Sequence, residues 1–168
     1  MKKIFVMSIA IAIALMAAPR WAEAHCQIPC GIFEDSMRFD MMLEHVHTIE
    51  KSMTLIDQLS KETKPDWNQI VRWVNNKEQH AGFLTEIAND YFLAQRIKPV
   101  SEDNSEAYKK YVEELILLHG IIVQSMKSKQ TTSVETCAAL RDLIGKFKSS
   151  YLGEDAAKHA EEAHGHKR

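Results

Sequence analysis

Hydrophobic residues recur at helical spacing through most of this chain, and that periodicity constrains its fold more than any other sequence feature. In the first such segment they follow one another at steps of 3, 4, 3, 4 and 3 residues, which places them on one face of an α-helix. They are Phe39, Met42, Val46, Ile49, Met53 and Ile56. No segment shows the alternation with a period of two that is typical of a half-buried strand. The sequence therefore predicts an all-α protein.

Three further segments carry the same spacing. The second runs from about Trp67 to Leu93, and Asp66, directly after Pro65, has a side chain suited to capping its first turn. Residues 132–135 have the Thr-Ser-Val-Glu pattern of a capping box for the fourth. The predicted inward faces are Ile70, Val74, Ala81, Leu84, Ala88 and Tyr91 on the second helix, Tyr108, Val112, Leu115, Leu118, Ile122 and Met126 on the third, and Cys137, Leu140, Ile144, Phe147 and Tyr151 on the fourth.

Four helices joined by short loops predict an antiparallel four-helix bundle, which we place at residues 35–152. Gly153 is suited to ending the last helix. Residues 153–168 carry little that could be buried, so we expect a flexible, His-containing tail there. The net charge of −2 gives no reason to expect nucleic acid or an anionic membrane as a partner.

Residues 1–24 have the layout of a secretory signal peptide. Two lysines precede an apolar run from Ile4 to Ala18, and residues 22–24 (Ala-Glu-Ala) form a small-x-small cleavage site. The run is shorter than the span of about 20 apolar residues that crosses a membrane, although a retained N-terminal anchor is the alternative. His25 stands before Cys26, where an acylated lipoprotein has a small residue. We therefore expect cleavage after Ala24 and a mature protein in the periplasm or outside the cell, without a membrane anchor.

Cleavage at that position would give His25 a free α-amine beside the thiol of Cys26. If the backbone amide of Cys26 deprotonates, the amine, this amide and the Cys26 sulfur close two adjoining five-membered chelate rings. Cys30 can return a second thiolate if Pro29 and Gly31 turn the chain back over the metal. The result is a planar set of two nitrogens and two sulfurs, with the imidazole of His25 free to approach along the axis. Such a set suits Ni(II) or Cu(II) better than zinc, which prefers a tetrahedron.

The motif His-Cys-x-x-Pro-Cys-Gly at residues 25–31 resembles the nickel hook of the nickel superoxide dismutase family. The resemblance implies one nickel ion per chain, bound by the amine and imidazole of His25, the amide and thiolate of Cys26, and the thiolate of Cys30. It implies an oxidoreductase that converts superoxide to dioxygen and hydrogen peroxide while nickel alternates between Ni(II) and Ni(III). It also implies four-helix bundles assembled as a hexamer. The hook would then occupy residues 25–34.

The resemblance continues more weakly beyond the hook. Arg72, five residues before the Lys-Glu-Gln sequence at 77–79, resembles an arginine that supports the axial histidine through a glutamate and would weakly steer superoxide. Residues 90–92, Asp-Tyr-Phe, resemble a later family segment. For the acidic partner, Asp40 is the first candidate and Glu44 the second. A surface arginine is the alternative interpretation of Arg72.

One position near the metal departs from the family pattern. The family usually has a tyrosine two residues after the hook glycine, and this chain has Phe33 there. The change removes a hydroxyl that could order water or substrate at the open face of the metal. We therefore expect the protons of the reaction to arrive through ordered water rather than from an identified side chain.

Two other functions fit parts of the same sequence. Cys26 and Cys30 could form a disulfide in an oxidising compartment, giving a stapled helical interaction domain. A disulfide closing so short a loop at a free terminus would stabilise little, and it leaves His25 unexplained. An exported bundle that stores or delivers nickel without turnover is the second alternative.

The remaining metal-binding residue types are interpreted as structural. Cys137 lies on an apolar helix face and should be a buried, inert thiol. The helical histidines do not provide the two Glu-x-x-His motifs of di-iron bundles and are expected on polar faces or satisfied in the core. They are His45, His47, His80 and His119, whereas His159, His164 and His166 of the tail could capture nickel loosely. Core and groove filling explains most of Met37, Met41, Met42 and Met53, rather than copper binding.

Overall fold

The structure, a computed structural model, describes residues 35–153. Within this range there are four helices and no strand: α1 (Asp35–Ser60), α2 (Trp67–Glu86), α3 (Ser105–Lys129) and α4 (Glu135–Leu152). A π-helical segment (Ile87–Arg96) extends α2. The predicted all-α bundle is confirmed. The predicted signal peptide, the hook and all of the tail after Gly153 lie outside the described residues.

The helices form a bundle in which α1 packs against α2 and α4, and α3 packs against the same two helices. This arrangement follows from the predicted faces of α1 and α4, since nearly every residue assigned inward on them is fully buried. The six predicted residues of α1 and the first four of α4 all lie in the core. Between Asp35 and Leu152, no helix combines the length and apolar character needed to cross a membrane.

An aromatic cluster fills the centre of one end of the bundle. Phe92 stands edge-on to Phe147 with ring centroids 4.8 Å apart, and Phe39 packs 5.1 Å from Phe92. Tyr151, half-buried at the end of α4, completes the cluster at 5.5 Å from Phe92. Aromatic pairs in tilted and edge-to-face arrangements add to the energy of burying their area. The cluster therefore fixes α1, the π-helical segment and α4 relative to one another.

The N-terminal cap of α2 agrees with the sequence prediction, whereas that of α4 does not. The Gln69 amide donates to Asp66 Oδ1 at 3.2 Å, which confirms the predicted cap of α2. The capping box predicted for α4 is wrong. Val134 occupies the cap position without a side-chain bond, and the hydroxyl of Ser133 accepts from the Glu135 amide instead. The preceding residues form a local turn, in which the Ser133 amide donates to the Thr131 hydroxyl, and this competes with the box.

The inward face of α3 also differs from the prediction. Of the six residues assigned to it, only Leu118 is fully buried, and Met126 is 54% exposed. The buried residues of α3 are Glu114, Leu117, Leu118, Ile121, Ser125 and Ser128. The hydroxyls of Ser125 and Ser128 donate to backbone carbonyls of their own helix, which satisfies them inside the core. A pattern counted on apolar residues alone passes over such serines, so the predicted face was rotated.

Candidate functional site

The predicted nickel ligands His25, Cys26 and Cys30 lie outside the described residues, as does Phe33. The described chain begins at Asp35, five residues after Cys30. Five residues reach at most about 18 Å when fully extended. The groups that surround Asp35 are therefore the described groups that chain length places nearest to the predicted hook.

Asp35, the first residue of α1, is bound by three side chains from distant parts of the sequence. The Tyr91 hydroxyl donates to one carboxylate oxygen, and the Tyr151 hydroxyl donates to the other at 2.7 Å. Arg96 forms an ion pair with the same carboxylate, its Nε lying 3.2 Å from Oδ1. The start of α1 is thus tied to the π-helical segment and to the last turn of α4.

The π-helical geometry helps to form this cluster because it changes where side chains point. The Ile97 amide donates to the carbonyl oxygen of Phe92 at 2.9 Å, five residues back, as in a π-helix. Tyr91 and Arg96 both lie on this segment, and Arg96 also donates to the Tyr91 hydroxyl at 3.1 Å. π-helical turns are often found at functional sites. Here the turn brings a phenol and a guanidinium to one carboxylate.

The cluster favours a charged carboxylate at Asp35 and a neutral phenol at Tyr151. Burial acts to raise the pKa of Asp35, but the hydrogen bonds from Tyr91 and Tyr151 and the charge of Arg96 outweigh it, so the pKa is lowered. Burial and the bond to Asp35 together raise the pKa of Tyr151 well above its usual value. The position of Asp35 in the first turn of α1 also favours a negative charge, because the helix dipole is positive there.

Two arginines lie against the ring of Tyr91. The guanidinium carbon of Arg38 is 4.6 Å from the ring centroid, and that of Arg96 is 4.9 Å away. Arg38 is only 7% exposed, and its Nε has no hydrogen-bond partner among the described residues. Asp35 forms its ion pair with Arg96 rather than with Arg38.

A small cavity opens beside Arg38, with a volume of about 220 Å³. Met41, His45 and Tyr91 contribute to its wall, as do two carboxylates, Glu86 and Asp90. A space of this size admits water and small ions rather than a large organic ligand. The cavity therefore gives small molecules access to the Arg38 side of the bundle.

The structure does not bring the predicted partners Arg72 and Asp40 together. Asn76 donates to Ser52 across 3.0 Å, which fixes the antiparallel register of α1 and α2. Arg72 lies one turn before Asn76 and is exposed, whereas Asp40 is half-buried and lies more than three turns before Ser52. Because the helices are antiparallel, Arg72 is level with about residue 56 of α1, and a rise of 1.5 Å per residue separates it from Asp40 by about 24 Å. Asp40 lies close to the Asp35 end of α1; Arg72 lies toward the other end of the bundle.

The other predicted acidic group, Glu44, is exposed on α1. The contribution of Arg72, Asp40 and Glu44 to a metal centre stays a prediction, since the ligands themselves lie outside the described residues.

Sequence reasoning missed the convergence on Asp35. Tyr91 and Tyr151 were assigned to the core from their apolar spacing, and their burial is consistent with that. A tyrosine near the end of a buried helix face nevertheless needs a partner for its hydroxyl. That need was the available signal, although it could not identify Asp35.

The structural interpretation of Cys137 is confirmed, because its side chain is fully buried and burial raises the pKa of its thiol. Residues 35–153 contain no group of three or more His, Cys, Asp or Glu side chains that could hold a metal ion.

Two of the helical histidines, which were predicted to be structural, are in contact between α1 and α2. The Nδ1 atoms of His45 and His80 are 3.0 Å apart, and burial together with the neighbouring His80 lowers the pKa of His45.

Comparison with known proteins adds one finding that covers most of the chain. A sequence model of the nickel-containing superoxide dismutase family matches residues 20–155. Searches of curated proteins and of solved structures gave no match.

Proposed function

We propose, because this chain belongs to the nickel-containing superoxide dismutase family, that His25, Cys26 and Cys30 hold its nickel in an exported enzyme. Membership of the family makes the protein an oxidoreductase with a nickel cofactor and superoxide as its substrate. The match over residues 20–155, which includes the whole hook motif, is the observation that carries this proposal.

The donor set fits nickel by its chemistry. The α-amine of His25, the amide of Cys26 and the thiolates of Cys26 and Cys30 provide the nitrogen and sulfur donors that planar Ni(II) accepts. Nickel bound there would supply the one-electron redox chemistry that converts two superoxide anions to dioxygen and hydrogen peroxide. Formation of this donor set requires signal cleavage after Ala24, so nickel would be fully coordinated only after export to the periplasm or beyond.

The described residues support this function by attracting and positioning charge. Arg38 and Arg96 place two guanidinium groups around Tyr91 at the end of the bundle where the described chain begins. Asp35 offsets the charge of Arg96. We expect Arg38, whose charge Glu86 and Asp90 oppose in part across the same cavity, to draw the superoxide anion toward this end. The bonds of Asp35 to Tyr91 and Tyr151 would hold the chain where it leaves the hook. Protons would reach the metal through ordered water, with Phe33 contributing none.

An oligomer is part of the same proposal, a hexamer by family resemblance. Three apolar side chains at helical spacing are exposed on the outer face of α3: Ile116, Val123 and Met126. An apolar stripe of this kind is typical of a surface that becomes covered by another molecule. Within one chain, Arg72 and Asp40 are too far apart to touch the same imidazole. If both act on His25, they do so from different chains of the oligomer.

The test is the intact mass and metal content of the protein recovered after natural export, together with its superoxide-removing activity. We expect a chain that begins at His25, binds one nickel and removes superoxide catalytically. Adding a single residue before His25 should abolish the activity, because it displaces the amine from the metal. A different first residue, or tight nickel binding without turnover, would contradict the proposed centre.

A further inference from the structure

His45 on α1 and His80 on α2 present the same ring nitrogen to each other. Their Nδ1 atoms are 3.0 Å apart, and the rings meet nearly edge to face, with centroids 5.0 Å apart. Both side chains are half-buried. The contact therefore lies at the side of the bundle, within reach of solvent.

The pair is held in place by packing as well as by the register of the two helices. The ring of Phe83 contacts both imidazoles, with centroid distances of 5.3 Å to His45 and 5.6 Å to His80. On the next turns of the same helices, the bond from Asn76 to Ser52 fixes the relative position of α1 and α2. Two imidazoles constrained in this way lose little conformational freedom when a ligand bridges them.

The distance between the two nitrogens suits a particular class of metal. With metal–nitrogen bonds of about 2.0–2.1 Å, a separation of 3.0 Å corresponds to an angle at the metal of roughly 95°, once the two rings turn from the hydrogen-bonded arrangement so that both Nδ1 lone pairs face one ion. This is close to the right angle of square-planar and octahedral coordination, and smaller than the tetrahedral angle that zinc prefers. Imidazole is a ligand that Ni(II) and Cu(II) accept readily.

The surroundings of the pair can tolerate a cation. The cavity beside His45 also carries the carboxylates of Glu86 and Asp90 in its lining, and these oppose the positive charge of Arg38. Since residues 35–153 provide no third histidine, cysteine or carboxylate in a metal-binding group, water would complete the coordination. Affinity should therefore be lower than that of the predicted hook, with its five donor groups.

We propose that His45 and His80 chelate a second divalent cation of the Ni(II) or Cu(II) class through their Nδ1 atoms, at a site separate from the hook. His45 lies ten residues beyond Asp35 along α1, which is about 15 Å from the helix end nearest the hook. A metal bound there would link α1 to α2 and stabilise the bundle increasingly as the free metal concentration rises above the dissociation constant.

The experiment titrates Ni²⁺ into nickel-loaded mature protein by calorimetry. The parent for this titration carries His159, His164 and His166 replaced by Gln, so that the tail cannot compete. We expect one further equivalent of Ni²⁺ per chain, and a metal-dependent rise in melting temperature. In His45→Gln or His80→Gln this binding should weaken by at least tenfold, and the rise in melting temperature should disappear. His47→Gln, which alters an exposed histidine on the same helix, should leave both unchanged.

A parent that takes up no second equivalent, or a His80→Gln variant that binds it as the parent does, would show that the contact is a hydrogen bond only. Melting without added metal shows whether each variant is folded. Nickel content and superoxide removal report the hook separately, so the two proposals can fail independently. If the hook holds no nickel, the second site is still measured by the difference between His80→Gln and His47→Gln.

Discussion

Lys77 on α2 donates from its ammonium group to the backbone carbonyl oxygen of Ser128 on α3, across 2.9 Å. The same nitrogen donates to the carbonyl oxygen of Lys129 and contacts the Glu78 carboxylate at 3.1 Å. These carbonyls belong to the last turn of α3, where no partner exists within the helix. A cation there also opposes the negative end of the helix dipole. Although Lys77 is only 3% exposed, its three donors have acceptors and its charge is compensated.

Replacing Lys77 by Met should therefore destabilise the bundle by about 2–3 kcal/mol, because buried carbonyl oxygens lose a charged donor. Urea unfolding of the apoprotein, followed by circular dichroism, measures the change. Lys146→Met is the matched control, since Lys146 pairs with Asp142 in an exposed i,i+4 ion pair. Its loss should cost less than about 0.5 kcal/mol. Equal losses for the two variants would contradict the capping role of Lys77.

The Asp35 cluster predicts a characteristic dependence of stability on pH. The folded state lowers the pKa of Asp35 below the usual value of an aspartate. The ionised carboxylate therefore contributes stability above the unfolded pKa, and this contribution is lost as the pH falls through the folded pKa. Asp35→Asn should be less stable than the unaltered protein at neutral pH, and the difference should shrink below about pH 4.

Thermal melts between pH 7 and pH 3 measure that difference. Asp57→Asn is the control, because Asp57 makes an exposed i,i+4 pair with Lys61 and its loss should change stability little throughout. If the difference in melting temperature between Asp35→Asn and the unaltered protein stays constant down to low pH, the charge of Asp35 contributes no stability.

The sequence predicted the parts of the fold that depend on local pattern. The face of α1 could be read from apolar spacing because its six predicted residues form a continuous apolar row, although Arg38 and Ser52 are buried beside them. The face of α3 could not, since Ser125 and Ser128 take up core positions there with hydroxyls bonded to their own backbone. Spacing counts apolar residues alone, so the prediction for α3 passed over these two positions.

Contacts between residues far apart in the sequence could not be predicted, for a different reason. Asp35 meets Tyr151 across almost the whole described chain, and His45 meets His80 only because of the register between α1 and α2. No local pattern encodes that register. The hook was recognisable because its donors lie within six consecutive residues, whereas Arg72 and Asp40 were paired by resemblance and lie far apart within the chain.

Arg38 should affect the rate at which superoxide reaches the metal. Its buried guanidinium adds positive potential at the end of the bundle nearest the hook, and such a potential speeds the approach of an anion. Arg38→Gln should lower kcat/KM several-fold and make it less sensitive to ionic strength. Pulse radiolysis over a range of salt concentrations measures both effects.

The control for this prediction is Arg141→Gln. Arg141 forms a bidentate pair with Glu50 between α1 and α4, away from the Asp35 cluster. Its loss should leave the salt dependence of the reaction unchanged. If Arg38→Gln with full nickel content shows the same salt dependence as the unaltered protein, Arg38 does not help to attract superoxide.

Two helical glycines allow a test of packing between α3 and α4. A Cβ added at Gly145, in the middle of α4, would meet nothing within 4 Å. Gly145→Ala should therefore stabilise the protein by about 0.5–1 kcal/mol, since alanine is the better helix former and restricts the unfolded chain. At Gly120 on α3, a Cβ would lie 3.2 Å from Cδ2 of Leu143. The free energy needed to displace this leucine should offset part or all of the stabilisation that alanine provides. The urea midpoint of unfolding should be higher for Gly145→Ala than for Gly120→Ala. The reverse order would mean that α3 and α4 pack less closely at Gly120 than the structure shows.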